Sequence, residues 1–430
     1  MLGMGVGSTG VALDAIEPDT AAPGFRRRVF YIPGYDPFHP RRYRELYRKE
    51  GRAQAEISNY QIDLKPKTVK GPYGWHVDAV IDGQTAAADI EVLVWSDIVK
   101  ISMDQGILAT YGQLVRTAWI FIGSGALFRL MRLRKGPMIA ALYPIVFLGV
   151  QLALAITLSA LIFWAALAAT ALIDAADALL YSRSALGLLA GAAAGYWLLR
   201  LFRRFDFKIF AYYLMHDYAY SAQAGGANPP ALEARMDQFR AIIRQAMDGT
   251  YDEVLVVGHS SGAHLAVSVL ADMIRAGLPD HRPALGLLSL GQVVPMVSFL
   301  PKADRLRADL HYLAAQDALT WIDVTAPGDG CAFALCDPVS VTGVAPHNKR
   351  WPLVISAAFT QTLSPDRWRA LRWRFFRLHF QYLCAFDRPG DYDYFRITAG
   401  ALTLADRYAA RKPSASRIET PRSGYRGMVP

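Results

Sequence analysis

Residues 138–173 read MIAALYPIVFLGVQLALAITLSALIFWAALAATALI and carry no charged side chain. A helix of that length, rising about 1.5 Å per residue, outreaches a hydrocarbon core roughly 30 Å thick even when tilted or kinked at Pro144. An ordinary core helix is shorter and keeps a polar face, so the run predicts a membrane crossing. A second apolar stretch, ALGLLAGAAAGYWLL at 185–199, is richer in Gly and Ala, which let two helices approach closely in lipid. The expectation is a two-helix hairpin with spans at about 138–173 and 185–202, joined by DAADALLYSRS, a short turn of acidic character.

Arginine marks both outer flanks, as RLMRLRK at 129–135 and RLFRRFDFK at 200–208. By the positive-inside rule these flanks face the cytoplasm and the acidic turn lies outside. Two crossings return the chain to the side it left, so the sequence before and after the hairpin can build one domain. The predicted location is a bacterial inner (cytoplasmic) membrane with that domain on the cytoplasmic face. Part of the formal net charge of +9 is thereby assigned to anionic lipid, and nucleic acid, for which no motif is present, is not an expected partner. ILATYGQLVRTAWIFIGSGALF at 107–128 carries Arg116 and several glycines, and is expected along the interface rather than across it.

Residues 1–24 read as a flexible leader without the basic and apolar regions of a signal peptide. Residues 25–115 begin an α/β pattern: a strand at 28–32 ending in a Pro-Gly turn, a helix in RRYRELYRKEGRAQAE, then strands at 75–81 and 90–95. Residues 116–205 hold the membrane-associated insertion. Over 206–411 the pattern resumes, with a helix at 229–249 opened by proline and closed by glycine, strands at 284–291, 319–325 and 352–359, and a final helix over 367–380. Residues 412–430 have the composition of a disordered tail. The predicted fold class is therefore α/β, a mainly parallel sheet flanked by helices and interrupted by a membrane hairpin. The three cysteines, Cys331, Cys336 and Cys384, form no CxxC pair and suit reduced thiols, although the spacing leaves a Cys331–Cys336 bridge open.

The segment VLVVGHSSGAHLAVSVLADMI at 254–274 places Gly258-His259-Ser260-Ser261-Gly262 at the corner between a buried strand and a helix. A serine hydroxyl is a poor nucleophile until a sharp turn holds it exposed beside a base. The first amides of the helix, aided by its dipole, can hold a developing oxyanion. This G-x-S-x-G corner resembles the nucleophile elbow of the α/β-hydrolase fold, and is most similar to its lipase and esterase-like members.

The resemblance implies roles for particular residues. Ser260 stands at the nucleophile position. The turn FYIPGYDPF fits the loop that supplies an oxyanion amide, through Gly34 and Tyr35, with the Ser261 amide as the second donor; proline stands where many hydrolases have histidine. The family order of nucleophile, acid, histidine is met by Asp329 in APGDG, with Asp337 in CDPV as the alternate acid, and by His379. His347 precedes the last expected strand, whereas the family base follows it. Asp323 lies inside a strand pattern and reads as structural. As part of one helix with Trp368, Leu371, Phe375 and Leu378 on an inward stripe, His379 would sit at the stripe's edge rather than on the loop the family provides. The five-residue spacing of His259 and His264 does not set two metal ligands on one helical face, and neither metal nor cofactor is expected. The implied activity is that of a membrane-anchored serine hydrolase that cleaves an acyl ester, of a lipid or other amphiphile, through a Ser-His-Asp triad and an acyl-enzyme. The alternative is a catalytically inert α/β-hydrolase-like membrane protein that acts as an interaction or assembly module.

Overall fold

The computed structural model describes residues 24–171 and 177–429, together with their side chains except at 170–171 and 177–181. Its centre is an eight-stranded sheet of order β2-β3-β4-β1-β5-β6-β7-β8. The strands are β1 (Phe25–Ile32), β2 (Gln61–Pro66), β3 (Gly74–Ile81), β4 (Gln84–Val92), β5 (Glu253–His259), β6 (Ala284–Leu290), β7 (Thr320–Thr325) and β8 (Leu353–Ser356). From β4 through β1 to β8 every pairing is parallel. Those strands lie between two apolar clusters, and the central pair β5 and β6, buried on both faces, read as apolar runs rather than alternations. The chain is α/β with a mostly parallel sheet.

One edge departs from the sequence expectation. β2 was not expected, and β4 begins at Gln84 rather than at 90, because Asp82 and Gly83 both take left-handed conformations (φ 53° and 75°) and close a tight antiparallel hairpin between β3 and β4. Asp-Gly between two strands is the sequence signal for such a turn. β2 then pairs antiparallel with β3, and alternates in burial as an edge strand with one wet face does.

The hairpin leaves after β4 and returns before β5. Its helices, Lys135–Ala171 and Asp177–Arg204, are the two described helices long and apolar enough to cross a membrane. The second starts eight residues earlier than the expected span, and residues 172–176, the last two of the expected first span and the first three of the expected turn, lie outside the described residues. Close contact rests on small residues: a Cβ added at Gly191 would meet the Ser159 carbonyl oxygen at 2.5 Å, and one at Gly195 would meet Ser159 Oγ at 2.1 Å. The first third of Lys135–Ala171 is docked on the sheet domain, with Met138 and Leu148 fully buried there. Beyond it large apolar side chains such as Leu161 and Trp164 stand about two-thirds exposed, at 63% and 66%. The region before it forms two helices, Ile107–Gly123 and Ala126–Leu133, bent by 73° at Ser124-Gly125, with Leu108, Val115 and Trp119 exposed along the first.

Two further expectations are corrected. The single helix over 367–380 is instead Pro365–Leu371, Phe375–His379 and a 3-10 turn Gln381–Leu383. Residues 412–429 are not a disordered tail: they run extended across the domain, where Ile418 exchanges backbone hydrogen bonds with Leu335 (2.7 Å) and Asp337 (2.9 Å). The fully buried guanidinium of Arg307 donates to the Gly427 carbonyl at 2.6 Å, which fixes the end of the chain. Of the expected leader only Gly24 lies within the described residues. The three cysteines are free thiols, so the Cys331–Cys336 bridge is not formed.

Candidate active site

β5 ends at His259 and the helix Gly262–Arg275 starts three residues later, so the chain reverses through Ser260. Ser260 takes a left-handed φ of 58°, a conformation that costs a non-glycine residue on the order of 1–2 kcal/mol. Its backbone is clamped from both sides: its amide donates to the Leu290 carbonyl (2.9 Å) and its carbonyl accepts from the Ala263 amide (3.1 Å). The flanking glycines are sterically required. A Cβ at Gly262 would lie 2.1 Å from the Ile32 carbonyl oxygen, and one at Gly258 would lie 2.7 Å from Ala263 Cα. Ser260 is only half-buried between fully buried neighbours, and its hydroxyl opens into a cavity.

Gly34 comes close to the same residue, since a Cβ there would sit 2.9 Å from Ser260 Cβ. The Tyr35 amide donates to Ser261 Oγ at 2.9 Å. The Ser261 amide, at the start of the helix, makes no hydrogen bond among the described residues. Two backbone amides thus flank Ser260, one free and one lightly held by a hydroxyl.

Asp329, in the loop after β7, accepts from His379 Nδ1 at 2.7 Å, from the Tyr382 hydroxyl at 3.1 Å and from the Cys331 amide at 2.9 Å. Burial pushes its carboxyl pKa up, but the His379 charge and these hydrogen bonds outweigh it and hold the group below the usual range. A carboxylate only accepts, so Nδ1 of His379 carries the hydrogen of that bond. Nε2 is buried without a partner, and both His379 and Ser260 line the cavity, with no hydrogen bond joining them in this structure.

His259 braces this arrangement. Its ring lies 4.8 Å from the His379 ring, its Nε2 donates to the His379 carbonyl at 3.0 Å, and its Nδ1 accepts from the Tyr31 hydroxyl at 3.2 Å. Burial, reinforced by His379, lowers its pKa to about 3, so it stays neutral and leaves the proton chemistry to its neighbour. Along the broken 367–380 region Trp368 lies over Gly328 and Phe375 over Gly330, where an added Cβ would stand 2.5 and 3.2 Å from the respective rings, and His379, at the end of the second piece, meets Asp329.

The cavity has a volume of about 830 Å³. Pro137, Phe210, Leu214 and Met296 line apolar parts of it, and Arg42, Arg374 and Arg377 line others. Asp217, on the helix Ala211–Ala222, also lines it and makes no hydrogen bond or ion pair among the described residues. Burial raises its pKa to about 7. Asp329, Cys331 and His379 bring three donor atoms within 4.8 Å of one another, a spacing that could hold a metal ion. Their mutual hydrogen bond already uses two of them, while burial and Asp329 hold the Cys331 thiol protonated.

The other candidates lie apart from this cluster. Asp337 caps the short helix Pro338–Thr342 by accepting from the Val339 and Ser340 amides, and pairs with Lys349 at 2.6 Å. Asp323 is buried in β7 and accepts from Ser289 Oγ at 2.6 Å; burial raises its pKa to about 8. His347 is exposed in a loop, and His264 is buried within its helix. Sequence reasoning missed Asp217, Tyr382 and the bracing role of His259. Only His259 carried a signal, its place beside Ser260. No protein-family model, no curated protein and no solved structure matches this chain.

Proposed function

We propose that the chain is a membrane-anchored serine hydrolase of the α/β-hydrolase type that cleaves an acyl ester of a lipid or similar amphiphile. One observation carries the reading: a serine in a strained left-handed corner opens into the same cavity as a histidine whose Nδ1 is held by a buried carboxylate at 2.7 Å. Strain of this kind persists where the surrounding structure enforces it, and clusters at functional sites.

In the proposed reaction Ser260 Oγ attacks the acyl carbon while His379 Nε2 takes its proton, and Asp329 stabilises the imidazolium that forms. The free Ser261 amide holds the oxyanion. The Tyr35 amide joins it by exchanging its bond to Ser261 Oγ for one to the substrate. His379 returns the proton to the leaving alkoxide, and water then releases the acyl group by the same steps. The exposed basic residues Arg132, Lys135, Arg204 and Lys208 at the feet of the hairpin favour a cytoplasmic position for the domain.

A fluorophosphonate probe tests this directly with the full chain in detergent micelles. Labelling is expected for the wild type and for Ser261→Ala, and none for Ser260→Ala. Folded wild-type protein that stays unlabelled would instead favour the inert module.

A further inference from the structure

The bend Arg372–Arg377, sequence RWRFFR, is an exposed mixed patch of arginine and aromatic side chains beside the cavity. Trp373 is 73% exposed and Phe375 48%. Arg372, Arg374 and Arg377 are exposed and make no ion pair among the described residues, and the last two line the cavity.

Most of the other charges around that cavity are held in ion pairs. Arg42 pairs with Asp36 at 3.0 Å, while Lys49 and Arg367 share Glu50 at 3.6 and 3.7 Å. Asp217 sits toward the Ser261 end, and also lines a small pocket with Ser261 and His264. Arg374 and Arg377 are therefore the cations lining the cavity that have no carboxylate partner among the described residues.

The bend is also tied to the hairpin. The Phe376 ring lies 4.9 Å from that of Phe210, six residues beyond the end of the second hairpin helix at Arg204. Phe375 covers Gly330, whose Cα would lie 3.3 Å from a Cβ added at Gly136, the second residue of the first hairpin helix. Apolar cavity walls formed by Pro137, Phe210 and Leu214 thus continue from the feet of the hairpin toward a guanidinium-bearing edge. Arginine grips phosphate oxygens through paired hydrogen bonds, and exposed aromatic rings suit the head-group layer of a bilayer.

We propose that Arg374 and Arg377, with Arg372 beside them, form a head-group site that binds the phosphodiester of an anionic phospholipid while its acyl chains occupy the apolar side of the cavity. This rests on the hydrolase reading only in naming that lipid as the substrate class, since the binding itself needs no turnover. A free phosphate ion would leave the apolar walls unfilled.

The test uses the full chain in neutral detergent carrying Ser260→Ala, so that nothing is turned over. Calorimetric titration compares a phosphatidylglycerol with six-carbon acyl chains, a phosphatidylcholine of the same chain length, and inorganic phosphate. Phosphatidylglycerol is expected to bind most tightly, and the double change Arg374→Gln, Arg377→Gln to weaken it about tenfold or more, the loss of at least one charge-assisted hydrogen bond. Phosphatidylcholine carries the same phosphodiester with its charge offset by the choline cation, so it should bind more weakly and lose less on the double change. Equal binding of the two lipids, phosphate binding as tight as that of phosphatidylglycerol, or a double variant of unchanged melting temperature and unchanged affinity would each overturn the proposal. Because the probe experiment reads Ser260 and this one does not, the two readings fail separately.

Discussion

Gly34 and Ser260 compete for the same space, and that competition predicts a non-additive pair of substitutions. A methyl group at Gly34 would meet Ser260 Cβ at 2.9 Å, His259 O at 3.3 Å and Ser260 Oγ at 3.4 Å. Two of these three contacts vanish if Ser260 becomes glycine. Overpacking a tight site costs about 1–3 kcal/mol, so Gly34→Ala alone is expected to destabilise by roughly 2 kcal/mol. In a Ser260→Gly background only the contact with His259 O remains, and the cost should fall below about 1 kcal/mol, a coupling of ~1–2 kcal/mol. Ser260→Gly by itself relieves the left-handed φ of 58°, which should leave it more stable than Ser260→Ala by up to about 1 kcal/mol after the added chain entropy of glycine is subtracted. Thermal unfolding of the four chains in one detergent reads both effects, with 2 kcal/mol corresponding to roughly 2–3 °C for a chain of this size. Additive shifts would refute the steric argument, and equal melting temperatures for Ser260→Gly and Ser260→Ala would refute the strain argument.

The two candidate acids separate by what each change damages. Asp329→Asn removes the charge opposite His379, and should lower kcat about 10³–10⁴-fold with KM little changed in an ester hydrolysis assay. Asp337→Ala loses a helix cap and the Lys349 partner, and should lower stability by about 2 kcal/mol while activity per folded molecule is kept. Asp217 predicts a pH effect. Its folded pKa of about 7 lies above the unfolded carboxyl value, so its penalty on stability is absent at acid pH, grows as pH rises toward 7 and is constant above. Asp217→Asn should therefore raise the melting temperature at pH 8 and leave it nearly unchanged at pH 3, below the unfolded carboxyl value, and equal shifts at both would count against that carboxyl.

What the sequence disclosed follows from how local each signal is. The corner at 258–262 was legible because an apolar strand, two glycines and an amphipathic helix lie within about twenty consecutive residues. The hairpin was legible because lipid imposes length and composition on a segment by itself. The meeting of Asp329 with His379 was anticipated from chain order in a similar family. The path that achieves it was not, because an apolar stripe of Trp368, Leu371, Phe375 and Leu378 also fits one helix. That helix is broken where rings seat on Gly328 and Gly330, fifty residues or fewer upstream, and no local periodicity reports such a contact. The ordered chain end was hidden for a related reason. A polar, Pro- and Gly-containing segment such as 412–429 forms no core of its own, and is fixed only by backbone groups and Arg307 elsewhere in the fold.

Asp217 was invisible from sequence for the most instructive reason, because its setting is made by the insertion itself. The helix Ala211–Ala222 follows the hairpin after the four-residue helix Asp206–Ile209, and Asp206 caps it by accepting from the Tyr212 and Tyr213 amides at 2.9 and 3.1 Å. One side, with Ala211, Met215 and Ala219, is packed on Leu148 of the first hairpin helix. The other side turns Tyr213, Asp217 and Tyr218 into the cavity, and the Tyr213 hydroxyl donates to the Tyr35 carbonyl in the loop beside Ser260. A shift of the hairpin would therefore reach the wall of the cavity through the helix Ala211–Ala222. The hairpin is for this reason more than a tether, since excising it would uncover the apolar side of the same helix that carries Asp217.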